Sequence, residues 1–284
     1  MGGKLFGLSL LIICIGYVLG NILFGLLVSK IKHVDLRTIG SGNVGATNTS
    51  RALGKKIGIL VLLCDMLKAW VAVMLASVVY QTLGHSIIFN SNYTIIEKEQ
   101  TYIKFGTLIY LSGFFAIIGH CFPIFYIIAL FKFKFNFEKA KQFSGGKGAA
   151  ATAGVFAAIS PWIFLCAFLV FITLFLIFRY VSLSSMVAIS TVCLYPLIPR
   201  LDFLYMLNIF NIKTILPIPS VVYAYQVDTL INYNINWEYI LTIFIIGFSI
   251  GMLILYKHKD NIVRLNAKTE KPLFNYHKKQ QKNL

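Results

Sequence analysis

The chain has 284 residues, of which 58% are hydrophobic and only 13% charged, against roughly a quarter charged in ordinary soluble domains. That excludes a soluble globular protein and indicates an all-α integral membrane protein. The formal charge of +16 does not indicate nucleic acid, because the 26 Lys and Arg lie between apolar runs and not on one polar face.

The first crossing is expected over Leu5 to Val28, since a helix needs about 20 apolar residues to span the hydrocarbon core. This run exceeds the apolar core of a signal peptide and no small-x-small cleavage pattern follows it, so it is expected to be retained. Next comes Gly40 to Arg51, GSGNVGATNTSR, a polar, glycine-rich run between two apolar segments. At membrane depth such backbone is tolerated only where it is buried in protein or lines a watery cavity. Glycines let successive amides turn onto an anion. Ser41, Asn43, Thr47 and Asn48 offer neutral donors there, and Arg51 offers a planar cationic fork suited to phosphate. A solvated turn is the plainer alternative.

Ile57 to Tyr80 is expected to be the second crossing, with Asp65 and Lys68 on one face as an intramembrane ion pair. Gln81 to Lys104 is polar and expected to be a loop; its Asn92-Tyr93-Thr94 sequon carries no weight. Phe105 to Leu130 is the third crossing, kinked at Pro123, and His120 beside it is expected to be structural. Ser144 to Gly148 resembles a P-loop only superficially, because Gly148 stands where a metal-binding hydroxyl is needed. What remains is an anion nest of Gly145, Gly146 and Lys147 at the start of the next helix.

Ala149 to Phe178 is too long for one crossing, and Pro161 is expected to divide it into a short or re-entrant fourth helix, Ala149 to Ile159, and a fifth, Trp162 to Phe178. The sixth runs from about Ser182 to Ile198 and the seventh from Trp237 to Tyr256, separated by a long aromatic loop. With seven crossings, 20 of the 26 Lys and Arg fall on one side. The positive-inside rule makes that side cytoplasmic, with the N-terminus outside and the C-terminus inside. This gives a polytopic domain over 1–257 and a basic cytoplasmic tail over 258–284. His258 and Asn261 share a face of the seventh helix if it continues past the membrane.

Three clusters then carry a resemblance: Ser41-Gly42-Asn43-Val44-Gly45-Ala46-Thr47-Asn48 with Arg51; Gly119-His120-Cys121-Phe122-Pro123 leading to Gly145-Gly146-Lys147-Gly148; and His258-x-x-Asn261 with Arg264 and Thr269-Glu270. In order and in spacing to the membrane segments they resemble the bacterial PlsY family of acyl-phosphate:glycerol-3-phosphate acyltransferases. Arg179 to Ser185 is similar to a further family segment, so the resemblance spans nearly the whole chain.

The resemblance implies a seven-helix inner-membrane enzyme that moves a fatty acyl group from acyl phosphate to the 1-hydroxyl of glycerol 3-phosphate. It implies phosphate binding by Ser41, Arg51 and Lys147, activity-bearing roles for His258 and Asn261, and a structural role for Glu270. The expected partners are glycerol 3-phosphate, acyl phosphate and membrane lipids, with no cofactor, metal or nucleic acid; no protein partner is indicated. A longer Lys/Phe-rich insertion between Phe125 and Gly145 departs from the family's short turn. A transporter or flippase for a phosphorylated metabolite is the competing reading, since carriers also hold anions at broken helices. One-sided clustering and the lack of an internal repeat weigh against it.

Overall fold

The computed structural model describes residues 2–90, 107–193 and 237–273, and every regular element among them is helical. The first apolar run forms α1 (Gly2–Gly20) and α2 (Phe24–Ile31), broken at residues 21–23. The second half of the glycine-rich run is α3 (Ala46–Leu53), which leads through Gly54 into α4 (Lys55–Val79). The helical path does not end at Tyr80 as expected. A π-turn at Tyr80–Gly84 and α5 (His85–Phe89) prolong it, because Tyr80 and Ile88 are both fully buried.

The third run forms α6 (Leu108–Cys121) and α7 (Ile124–Lys132), bent by 57° where Pro123 cannot donate to the preceding turn. The short α8 (Phe137–Ala140) folds back beneath α7. Pro161 divides the next run as expected into α9 (Ala149–Ile159) and α10 (Pro161–Phe178). It takes the first position of α10, where a missing N–H is harmless, and the Ser160 hydroxyl accepts from Ile163 N–H at 3.4 Å. The chain continues through α11 (Val181–Cys193), α12 (Trp237–Lys257) and α13 (Lys259–Asn266). The seventh helix does not run straight past the membrane surface: its axis bends by 58° at His258. The sequon at Asn92, the end of the sixth helix beyond Cys193 and the loop before Trp237 lie outside the described residues.

Two stretches, Gly3–Ile31 and Lys55–Ile88, are each long and apolar enough to cross a membrane; α6 with α7 and α12 with α13 qualify as bent pairs. Helices α9, α10 and α11 are apolar but shorter. The outward faces of the bundle carry Leu60, Leu63, Leu67, Leu169, Ile245 and Phe248, each more than half exposed, which is the pattern of a surface meant for lipid.

The core of the bundle is α1 against α6 and α4 against α9. A side chain at Gly16 or Gly20 of α1 would overlap the Ser112 or Ala116 carbonyl of α6, so these backbones touch as small-residue membrane interfaces do. Gly154 lets α9 approach Met66 of α4 in the same way. The expected ion pair is present and buried: Lys68 lies 2.8 Å from Asp65. The Lys68 ammonium also donates to the Ile22 carbonyl at the α1–α2 break and meets His120 Nδ1 at 2.9 Å. One buried cation thus joins the middle of α4 to two broken helices, which is the structural role expected for His120.

Candidate functional site

The breaks in α6–α7 and α12–α13 and the start of α9 bring helix ends to one cavity of about 250 Å³. At the end of α6, carbonyls without helical partners find donors elsewhere. His120 O accepts from Gly146 N–H at 3.1 Å, Cys121 O from Gly145 N–H at 3.1 Å and from Lys257 Nζ at 3.1 Å, and Phe122 O from the Tyr17 hydroxyl at 3.0 Å. This corrects the expected nest. Gly145 and Gly146 spend their amides on α6 and do not line the cavity; a Cβ at Gly146 would overlap His120 Nε2, so the glycine is needed for contact. The cavity is lined instead by Lys147, Gly148, Ala149 and Ala150. Gly148 caps α9 with φ +88°, and the first amides of that helix have no intrahelical acceptor.

Opposite stands the glycine-rich run. Ser41, Asn43, Thr47, Asn48 and Arg51 all line the cavity. Asn48 is corrected in one respect: its amide donates to Leu36 O at 2.9 Å and Ile39 O at 3.0 Å, while its oxygen accepts from Ser41 N–H at 2.9 Å. It shapes the loop and has no donor to spare. Asn43 Oδ1 likewise accepts from Gly45 N–H at 2.9 Å, which leaves the Asn43 amide protons for a ligand. Arg51, on α3, donates from Nη2 to Lys271 O at 2.8 Å.

The third side comes from α13 and the segment after it. Asn261 is buried, accepts from the Lys147 ammonium, and donates to Glu270 Oε1 at 2.7 Å. Glu270 also accepts from Arg264 Nε at 2.7 Å and Ser182 at 3.0 Å. Burial alone would raise the Glu270 pKa, but the hydrogen bonds from Arg264, Asn261 and Ser182 outweigh it and hold the carboxyl below its ordinary value. Burial lowers Lys147 to about 8, and the Arg264 charge pushes the same way against Glu270 and Asp260. Arg51 is also lowered, first by burial. The cations Lys147, Arg51 and Arg264 therefore outnumber the carboxylates Glu270 and Asp260 that act on this corner, and an incoming phosphate would relieve the excess.

His258 is buried at the start of α13 and meets Ile254 O through Nδ1 at 2.8 Å. A donor is required opposite a carbonyl, so Nδ1 carries the proton and Nε2 is the free acceptor. Burial, then the Lys147 charge, lowers its pKa to about 4, so the ring is neutral near pH 7. His258 and Asn261 meet the same cavity despite the bend between α12 and α13. The other part of the wall is apolar, with Phe164, Phe168 and Phe171 on one face of α10 and Phe156 of α9. No sequence signal singled out this wall, and none gave a role to Ser182, although its segment carries part of the family resemblance.

The family model described as "Glycerol-3-phosphate acyltransferase" matches residues 10–268. A glycerol-3-phosphate acyltransferase of Malacoplasma penetrans is 45% identical over 272 residues, with 96% of each chain covered. One of Aquifex aeolicus is 32% identical over 257 residues, covering 90% of this chain and 95% of its own. A crystal structure of PlsY, an integral membrane glycerol 3-phosphate acyltransferase in its glycerol 3-phosphate form, superposes with a TM-score of 0.62 at 30% identity, covering 94% of this chain and 96% of its own. The chain belongs to the glycerol-3-phosphate acyltransferase family of integral membrane enzymes.

Proposed function

We propose that this protein transfers a fatty acyl group from acyl phosphate to the 1-hydroxyl of sn-glycerol 3-phosphate, giving lysophosphatidate and phosphate. The observation that carries the proposal is a single cavity in which cations and free helix amides adjoin an aromatic, apolar wall. A phosphate-bearing acceptor fits the first part and an acyl chain the second.

Two such substrates bring roughly four negative charges together, which a low-dielectric site tolerates only with fixed cations and aimed N–H groups. Lys147, Arg51, the Asn43 amide and the first turn of α9 fill that role. The acyl phosphate is already activated, so the protein has to align the hydroxyl, stabilise the tetrahedral oxyanion and let one proton leave. The hydroxyl oxygen attacks the acyl carbon, the bond from that carbon to the phosphate oxygen breaks, and phosphate departs. The proton passes to a substrate phosphate, whose second pKa is near 6. Before attack His258 Nε2 accepts the hydrogen bond of that hydroxyl and sets its oxygen towards the acyl carbon; as the new C–O bond forms, the O–H turns off Nε2 and its proton goes to the phosphate. Asn261 acts through Lys147, since both ends of its amide are already engaged. Ser41 and Thr47 supply further polar contacts, and Asn48 keeps their loop in shape.

The membrane arrangement proposed with this reading is seven crossings in the bacterial inner membrane, the N-terminus outside, and the cavity's polar end and the tail in the cytoplasm. The tail over 258–284 is set apart by composition only, because Asn261 and Glu270 within it are buried against the membrane body. A Gln142→Cys change in a cysteine-free background tests the arrangement. Protection from an impermeant thiol reagent in intact cells, with labelling after lysis, is expected; labelling from outside would reverse the orientation.

The reaction itself is tested with purified protein and labelled glycerol 3-phosphate, offering acyl phosphate, acyl-CoA and acyl carrier protein in turn. Lysophosphatidate is expected from acyl phosphate alone. Equal rates with acyl-CoA would remove the proposed donor. No product from any donor, with glycerol 3-phosphate uptake into proteoliposomes, would favour a carrier.

A further inference from the structure

The insertion between Phe125 and Gly145 is no slack loop. Helices α7 and α8 form a hairpin with its own small core, in which Tyr126, Ala129 and Ala140 are buried and Phe122, Leu130 and Phe133 pack on them. Asn136 caps α8 by accepting from Lys139 N–H at 3.1 Å. On the outer side the hairpin leaves large apolar groups bare: Phe125 is 68% exposed, Ile128 55%, Phe131 66% and Phe137 60%. Ile124, Ile128 and Phe131 recur at i, i+4 and i+7, so they form one stripe along α7.

Flanking that stripe are Lys132, Lys134 and Lys139, all exposed. The Lys132 ammonium lies over the Phe133 ring, 5.9 Å from its centroid. The nearest acid, Glu138, offsets only one of these charges. Lys141 is engaged elsewhere, 3.4 Å from Asp260 of α13. Aromatic and branched side chains ringed by lysine are the composition of a surface that lies at the lipid–water boundary.

What covers the stripe follows from its position. The hairpin continues directly from α6, a membrane-directed helix, and turns away from its axis by 57°. An element leaving a span at that angle runs obliquely through the headgroup region, where an apolar stripe meets acyl chains and flanking lysines meet headgroups. Three ammonium groups in one place complement anionic headgroups.

We propose that residues 124–143 form an interfacial hairpin that beds its Ile/Phe stripe in the bilayer and binds anionic phospholipid headgroups through Lys132, Lys134 and Lys139. The proposal rests on α6 being a membrane span, and it is independent of the acyl-transfer chemistry.

The test is lipid-selective quenching of Phe137→Trp in full-length protein reconstituted into bilayers. The parent protein, with Trp70, Trp162 and Trp237, is measured alongside and its signal subtracted. Bromine-labelled phosphatidylglycerol is compared with bromine-labelled phosphatidylcholine at equal mole fraction. The added tryptophan is expected to be quenched by both, and at least about twofold more by phosphatidylglycerol. The excess should vanish at high salt and in the Lys132→Gln/Lys134→Gln/Lys139→Gln variant, while quenching by phosphatidylcholine persists. Salt acts on the unaltered lysines, so the result stands even if the triple variant folds poorly. Equal quenching by both lipids, or an excess that survives both salt and the triple change, would overturn headgroup binding. Quenching by neither, whether the stripe faces water or a second copy of the chain, would overturn the hairpin's place in the bilayer.

Discussion

Lys147→Met is expected to lower kcat/KM for glycerol 3-phosphate by about 10²–10³-fold, the range seen when one charge-stabilising donor is removed from a buried site. The side chain combines three properties: it is largely buried, it is held by Asn261, and it lies at the start of α9 among the residues lining the cavity. The same residue dictates an alkaline limit. Its pKa of about 8 lies below the ordinary lysine value, so the ammonium is present below about pH 8 and lost above it. In the free enzyme, kcat/KM should therefore fall as pH rises through about 8. A bound phosphate favours the charged form, so the limb in kcat should lie higher. Lys147→Arg keeps a charge at every pH used and should abolish the limb while working more slowly, since a planar fork does not reproduce the ammonium's bond to Asn261. A limb that persists unchanged in the arginine variant would assign it to another group.

His258→Ala is expected to be about 10²–10⁴-fold slower, the span associated with losing a positioned proton-handling group, whereas His258→Gln should keep a measurable rate. With a pKa of about 4, the imidazole is neutral from about pH 5 upward and gains its proton only as pH falls through about 4. Any acidic limb near pH 6 therefore belongs to the phosphate of the substrate and should survive in His258→Gln. Disappearance of that limb, or a glutamine variant as slow as the alanine one, would make His258 the base and reject transfer to the substrate phosphate.

Much of this site is legible in the order of the amino acids. Ser41, Asn43, Thr47, Asn48, Arg51, Lys147, His258 and Asn261, singled out by glycine-rich context and the family resemblance, all line one cavity. Polar residues between apolar runs are conspicuous because each has a cost in a membrane. Partner choice is what a linear sequence conceals. Gly145 and Gly146 look like amides free for an anion, yet the carbonyls at the end of α6 claim them. Those carbonyls are orphaned by the break at Pro123, more than twenty residues earlier in the chain. Asn48 looks like a free donor for the same reason, because its acceptors Leu36 O and Ile39 O come within reach only when the loop closes.

The aromatic wall is hidden by a different cause. α10 is apolar on every side, so no periodicity separates Phe164, Phe168 and Phe171 from lipid-facing neighbours such as Leu169. The bend at His258 has no proline to announce it. The long extension of the second helix to Phe89 is masked by Gln81 and Thr82, which satisfy themselves by bonding back to the preceding turn.

The claim that one cavity holds the acceptor's phosphate beside an acyl-lined wall is tested most directly by a structure of the purified protein with glycerol 3-phosphate bound. Phosphate oxygens are expected about 2.7–2.9 Å from Lys147 Nζ and Arg51, facing the first amides of α9, with the 1-hydroxyl at His258 Nε2. A phosphate held outside this cavity, or a glycerol turned away from His258, would contradict it.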